Sequence, residues 1–248
     1  MSTPLNGSLL KGFEILGLFS RERPEIDAAT VMAELEMNGA TAHRFLATLE
    51  EAGAIASVRR GLYRLSHTTA ELGRLAEETN PLARQVQPLL DQLSASLQES
   101  VMICRFSRRG PVCIAVATAQ RAFALSFRIG EVLDLLRSAQ GRLWLADLSR
   151  PDREKTVQAA GLPMDQLGPL QDELDRIRAA GLAENLGSVE ADVGAVSVPV
   201  RQGAGGKGEL VLTLSVFGPL RRFTGDLRSR AAPELRSTAV EIARRLQR

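Results

Sequence analysis

The chain has 248 residues, a formal net charge of +2 and 44% apolar residues, which describes an ordinary soluble protein with room for two domains. No stretch approaches the roughly 20 apolar residues of a membrane helix. The opening MSTPLNGS lacks the basic-then-apolar pattern of a secretory leader, so a cytoplasmic location is expected. Two cysteines, Cys104 and Cys113, are too few for a disulfide framework and read as buried free thiols on two strands that can bring them face to face.

The periodicity predicts a first helix over Ser8–Ser20 with Leu9, Leu10, Phe13, Leu16 and Phe19 inward. Asp27 is placed to cap a second helix whose core face is Val31, Met32 and Leu35, with Ile26 as a staple onto Val31. Glu36-Met37-Asn38 interrupts the pattern, and Asn38 caps a third helix with Ala42, Phe45, Leu46 and Leu49 on its core face. Gly53 ends that helix as a C′ glycine. Ile55–Val58 and Leu62–Leu65 then flank Arg59-Arg60-Gly61, a short hairpin with a basic tip.

A helix pair followed by a basic hairpin is a winged helix-turn-helix, and its natural partner is double-stranded DNA. The outward face of the third helix begins with small residues that allow close approach to phosphates. Asn38, Gly39, Ala40, Thr41, His43, Arg44 and Thr48 there, with Arg59, Arg60 and Tyr63 of the wing, are the candidate DNA contacts. Residues 1–66 nevertheless hold seven Lys/Arg against eight Asp/Glu, a net charge of −1. So small a basic footprint implies modest affinity per subunit and binding as a homodimer or homotetramer.

Thr69–Glu78 reads as a helical connector within residues 67–80, and Asn80-Pro81 as the boundary with residues 81–248. Beyond it, a helix runs from Pro81 to Leu97 with Val86, Leu89, Leu90, Leu93 and Leu97 on one side. Val101–Phe106, Val112–Ala117 and Phe123–Phe127 have strand character. Ala139–Leu148 and Asp165–Ala180 are helical, the latter with Leu167, Leu170, Leu174 and Ile177 aligned. Strands at Ala195–Val200 and Glu209–Phe217 and a helix from Thr224 to the end complete the chain. The mixture predicts an α+β or α/β sensor-like domain around one antiparallel sheet.

Taken in order, SLLKGFEIL (Ser8–Leu16), TAHRFLATLEEAG (Thr41–Gly53), GLYRL (Gly61–Leu65), RIG (Arg128–Gly130), SAQGRLWLA (Ser138–Ala146), GLAENLGSVEADVGAVSVPV (Gly181–Val200) and LSVFGP (Leu214–Pro219) resemble the IclR-type bacterial transcriptional regulators. The resemblance spans nearly the whole chain. It implies an α+β protein with an N-terminal winged helix-turn-helix and a C-terminal GAF-like α/β domain that binds a small organic acid. Carried over position by position, it implies an effector pocket of Leu125, Leu133, Ala139, Gln140, Asn185, Val193, Ala195, Ser215 and Phe217. Asn185 stands where that family commonly has an acid, Ala195 where it has Cys, Leu136 where it has His, and Phe217 where a small polar residue can occur. Arg137 stands at a usually small position and Glu36 at a usual turn glycine. The pocket implied is narrow and apolar, with Ser215, Asn185 and the amides near Ala139–Gly141 as donors.

Catalytic chemistry finds little support. His43 and His67 sit on separate elements, no G-x-S-x-G is present, and no metal or cofactor is expected. Gln202–Gly208 resembles a phosphate loop only in its glycines, because Gly208 rather than Ser or Thr follows Lys207 and a strand rather than a helix comes next. Asp172, Glu173 and Asp175 form a solvated helix face, and Trp144-Leu145 is core. Two other readings stay open: a winged-helix protein-interaction module without a ligand, and a small-acid-binding enzyme.

Overall fold

The computed structural model describes residues 5–20, 23–79, 81–107, 110–163, 166–203 and 208–246. Asn80, Arg108, Arg109, Asp165 and most of the glycine-rich 202–208 stretch lie outside the described residues. The chain divides into two compact units, Met1–Asn80 and Pro81–Arg248.

In the first unit, α1 (Gly7–Leu16), α2 (Ala28–Leu35) and α3 (Gly39–Glu51) pack on a small sheet of β1 (Glu25–Asp27), β2 (Ile55–Arg59) and β3 (Leu62–Leu65), ordered β1-β3-β2. Helix α4 (His67–Glu78) follows. The Asp27 carboxylate caps α2 by accepting from Thr30 N at 2.8 Å, and Asn38 Oδ1 caps α3 by accepting from Thr41 N at 2.9 Å. Between them Glu36 adopts φ 51°, ψ 42°, the left-handed conformation that explains why glycine suits this turn. Ile15, Phe19, Ile26, Ala28, Val31, Ala42, Leu46 and Ile55 form the core.

Two core assignments fail here, the inward residues of α1 and Met32 of α2, and β1 is a strand that periodicity does not announce. Ile26 does more than staple a helix: it lies in β1, paired with Tyr63, a three-residue strand too short to show a period. And α1 turns Gly12 and Ile15 inward, leaving Leu9 61%, Leu10 41% and Phe13 66% exposed. That helix has apolar residues on both faces, so spacing alone does not say which one the chain buries against itself. Met32 is likewise exposed.

The second unit is built on a five-stranded antiparallel sheet, ordered β5-β4-β8-β7-β6: β4 (Ser100–Ser107), β5 (Gly110–Ala117), β6 (Ala183–Leu186), β7 (Val193–Gln202) and β8 (Glu209–Pro219). Helices α5 (Pro81–Leu97) and α9 (Gly225–Arg245) cover one face with Val86, Leu90, Leu93, Leu97, Leu235 and Ile242. The other face carries α6 (Ala139–Asp147) and α8 (Leu167–Ala180), with Leu143, Leu145, Leu174 and Ile177 in their core. Helix α7 (Arg150–Ala159) links them; its inward residues are Val157 and an arginine, Arg153, so no apolar period announces it.

Phe123–Phe127 is not a strand. The outer side of β5 is taken instead by residues 130–133, through Gly130 N to Cys113 O at 2.8 Å and Leu133 N to Pro111 O at 2.8 Å. The apolar alternation of 123–127 reflects packing of Leu125 and Phe127 onto the α6 side of the sheet. Cys104 and Cys113 are cross-strand neighbours, both buried and free. Burial pushes the Cys113 thiol up to about 11 and that of Cys104 well above the ordinary range, so both are protonated and unreactive at neutral pH.

Candidate functional site

The structure sorts the first unit's cations into two groups. Lys11 pairs with Glu14 at 2.9 Å, Arg23 with Glu34 at 2.8 Å and Arg74 with Glu78 at 2.7 Å. Arg44 on α3, and Arg59, Arg60 and Arg64 on the β2–β3 wing, are exposed and have no carboxylate partner among the described residues. Among the described residues the unit's arginines without a carboxylate partner therefore lie on α3 and the wing, although the whole is slightly acidic.

Helix α3 presents Asn38, Ala40, His43, Arg44 and Thr48 to solvent, with Gly39 and Thr41 half-buried. Thr48 Oγ1 donates back to Arg44 O at 2.8 Å, so this hydroxyl is engaged within its own helix. The wing turns at Arg60-Gly61, where Gly61 has φ +77°, and the β2–β3 register shifts between Ser57 and Arg59. Tyr63 differs from the others: it sits in the middle strand between Ile26 and Ser57 and packs against the core. Arg64, next to it, is exposed and was not singled out from the sequence, although strand alternation with Tyr63 carries that signal.

The second set of residues converges on the α6-facing side of the large sheet. Asn185, Ala195 and Phe217 form one row across β6, β7 and β8, continued by Ser100 on β4. The adjoining row is Ala183, Ser197, Ser215 and Met102. Ala139 and Gln140 come from the first turn of α6, Leu133 from the segment edging β5, and Leu125 from the loop above Ser100, whose Oγ donates to Leu125 O at 2.6 Å. Val193 begins β7. Ser100, Met102 and Ser197 belong to the same assembly through strand register, and Phe127 through its packing on Phe217, neither of which sequence gives.

Most of the polar groups here are already satisfied. Ser215 Oγ and Ser197 Oγ lie 2.6 Å apart, Asn185 Oδ1 accepts from Ser188 N at 2.7 Å, and the Gly141 amide donates to the Ser138 cap at 3.0 Å. The Gly141 amide is thus engaged by its own helix cap, and the Ser215 and Ser197 hydroxyls share one hydrogen bond in which either can be the donor. Gln140 differs: it is 1% exposed and its Nε2 has no acceptor among the described residues. It sits at the positive N-terminal end of a helix. Gly141 lets that end approach its neighbour, since a Cβ there would fall 2.1 Å from Leu135 O. Phe217 meets Phe127 edge-on with ring centroids 5.0 Å apart, closing the apolar wall. Leu125 and Val193 also line an open depression of ≈ 480 Å³ with Phe123, Asp192, Leu220 and Arg221.

Among the described residues no three His, Cys, Asp or Glu side chains are grouped to hold a metal ion, and no helix is long and apolar enough to cross a membrane.

A helix-turn-helix with free cations on its outward helix, followed by a separate domain of one antiparallel sheet between helices, is the arrangement of a two-domain transcriptional regulator. The IclR helix-turn-helix domain matches residues 8–59, and the bacterial transcriptional regulator IclR C-terminal domain matches residues 75–244. The chain belongs to the IclR family: it is a regulator with a DNA-binding N-terminal domain and a C-terminal effector domain, not an enzyme. It is 22% identical over 251 residues to the HTH-type transcriptional regulator KipR of Bacillus subtilis, covering 97% of each. Among solved structures it is similar to an IclR family transcriptional regulator from Brucella abortus (22% identity, 96% of this chain and 92% of that one, TM-score 0.82). It is also similar to an IclR homolog from Microbacterium hydrocarbonoxydans complexed with 4-hydroxybenzoate (20% identity, 97% and 99%, TM-score 0.68).

Proposed function

We propose that this regulator binds a near-palindromic operator as a dimer or tetramer, and that a small organic acid in the buried site of the second unit modulates that binding. On this reading residues 1–66 read DNA, 67–80 connect and 81–248 sense and assemble, in the cytoplasm where the operator is. The observation that carries the DNA part is the set of unpaired guanidinium groups on α3 and the wing. Arg44, with His43, Thr41, Ala40, Gly39 and the Asn38 cap, enters the major groove. Arg59 and Arg60 reach phosphates or the neighbouring minor groove, and Tyr63 buttresses the wing from behind.

Assembly is supported by α1. Leu5, Leu9, Leu10 and Phe13 leave an apolar stripe that one chain does not cover, the kind of patch a second copy buries. Two reading heads then compensate for the small basic footprint of each.

For the effector, the Gln140 amide supports a carboxylate. Its orphan Nε2, together with the positive end of α6, supplies donation to an anionic oxygen, while Leu133, Phe217 and Phe127 supply walls for a compact apolar body. The relative bound to 4-hydroxybenzoate makes an aromatic acid the first candidate. Entry runs from the open depression lined by Leu125 and Val193. Because the site is closed in this structure, the acid must bind an opened arrangement better than the closed one, and that difference is what it can transmit.

The test is titration of 4-hydroxybenzoate into the full-length protein, free and bound to DNA from its own upstream region. Coupled sites give affinities that differ about 5–150-fold between the two states. Equal affinities remove the allosteric part. Absence of specific retardation of that DNA at low salt, with or without acid, removes the DNA part and favours a protein-interaction module.

A further inference from the structure

Strand β7 is longer than its neighbour β6. Their pairing ends at Ala183–Ser197, while β7 continues through Pro199 and Arg201 paired only with β8. Beside this open edge, between the C-terminal end of α8 and the second half of α9, lies a groove of ≈ 760 Å³. Four arginines line it, Arg178, Arg201, Arg236 and Arg244, and no Asp or Glu does among the described residues. The remaining wall is apolar, with Pro199 and Val240 prominent.

The surrounding carboxylates neutralise only part of this charge. Asp147 pairs with Arg201 at 2.5 Å, and Glu241 lies 3.6 Å from Arg244 while also serving Arg245 at 3.3 Å. Arg178 and Arg236 have no carboxylate partner among the described residues. Arg236 is nonetheless held in place, its Nη2 donating to Ala180 O at 3.0 Å, as is Arg201, whose Nη1 donates to Gly208 O at 3.0 Å. Oriented like charges in one concavity repel each other and raise the local positive potential. A ligand with several oxyanion groups relieves that repulsion and meets guanidinium forks in the geometry they favour.

We infer that this groove is a second ligand site, separate from the buried pocket, for a small molecule carrying two or more negative charges on a compact skeleton: a polycarboxylate or an organic polyphosphate. The apolar wall takes the skeleton and the arginines take the oxyanions. A monocarboxylate satisfies too few of these groups to be held. The position also links the two sites. Ala195 of the buried row and Pro199 of the groove lie on one strand, about 13 Å apart at 3.3 Å per residue.

The experiment is isothermal titration of the full-length protein at fixed ionic strength with citrate, tripolyphosphate and acetate. Binding of citrate or tripolyphosphate but not acetate is expected, and whichever of the two binds more tightly assigns carboxylate or phosphate chemistry. In the double variant Arg178→Gln/Arg236→Gln, affinity should fall at least tenfold with the melting temperature of the ligand-free protein kept. Should that variant melt early, Arg178→Gln alone, which disturbs no hydrogen bond, should still weaken binding several-fold. Heat with citrate or tripolyphosphate from a protein that gives none with 4-hydroxybenzoate would remove the buried-site reading alone, so failure of that reading is distinguishable from failure of this one. No heat with either multivalent probe, or equal affinity in parent and Arg178→Gln, overturns the inference.

Discussion

Arg44 and Arg153 carry the same guanidinium in opposite settings. Arg44 is exposed on α3 without a carboxylate partner among the described residues. Arg153 is 1% exposed and fully used: Nε donates to Leu145 O at 3.0 Å, Nη2 to Ala146 O at 3.2 Å and Nη1 to Asp175 Oδ1 at 2.8 Å. It closes the last turn of α6 from below. The first unit keeps its working polar groups outside, where changing them leaves the fold intact. The second keeps many of them inside, where most hold the fold and three among the described residues, on Gln140, Trp144 and Thr213, are left without a partner.

This contrast can be broken experimentally, starting where the effect is largest. Arg153→Met strands two buried carbonyls, about 1–3 kcal/mol each, and should lower the melting temperature by many degrees in thermal denaturation. An unchanged melting temperature would show that the buried cation is not structural. Arg44→Ala should weaken operator binding by about 1–3 kcal/mol in a gel-shift titration, at unchanged melting temperature. Arg60→Ala should lower the salt slope of binding by about one. Gln140→Leu sharpens the comparison from within the second unit: it should abolish the response to 4-hydroxybenzoate while raising stability by about 1 kcal/mol, because an unpaired buried amide is removed. A loss of stability there would mean that Gln140 is structural.

The smallest expected effect is the Asp27 cap. The Thr30 amide and hydroxyl hold the Asp27 carboxyl below its usual range. Its contribution, about 1 kcal/mol for such a cap, is therefore complete above the unfolded value near 3.9 and is lost as pH falls through the folded one. The melting-temperature gap between parent and Asp27→Ala should be constant near neutrality and close in strong acid. A gap that widens on acidification contradicts this.

Legibility in the sequence followed the range of the interactions. The Asn38 cap, the Gly53 stop and the basic hairpin tip are set by neighbours a few residues away, and α3 and the wing are where local chemistry places them. The inward side of α1 depends on what else packs there. The four residues of β6 include Glu184 and Asn185 and have no strand signature of their own; they pair because β7 offers an edge. The buried site is the extreme case. Asn185, Ala195 and Phe217 become neighbours only through strand register, and it took the family's pattern, not periodicity, to bring them together beforehand.

The overhang of β7 has one more consequence. An unpaired strand end recruits other strands, and in a protein held at high local concentration on DNA that is a route to precipitation. Pro199 stands in this overhang and offers no N–H to an incoming strand, while Arg201 beside it adds charge. The segment thereby carries two features that oppose runaway sheet growth.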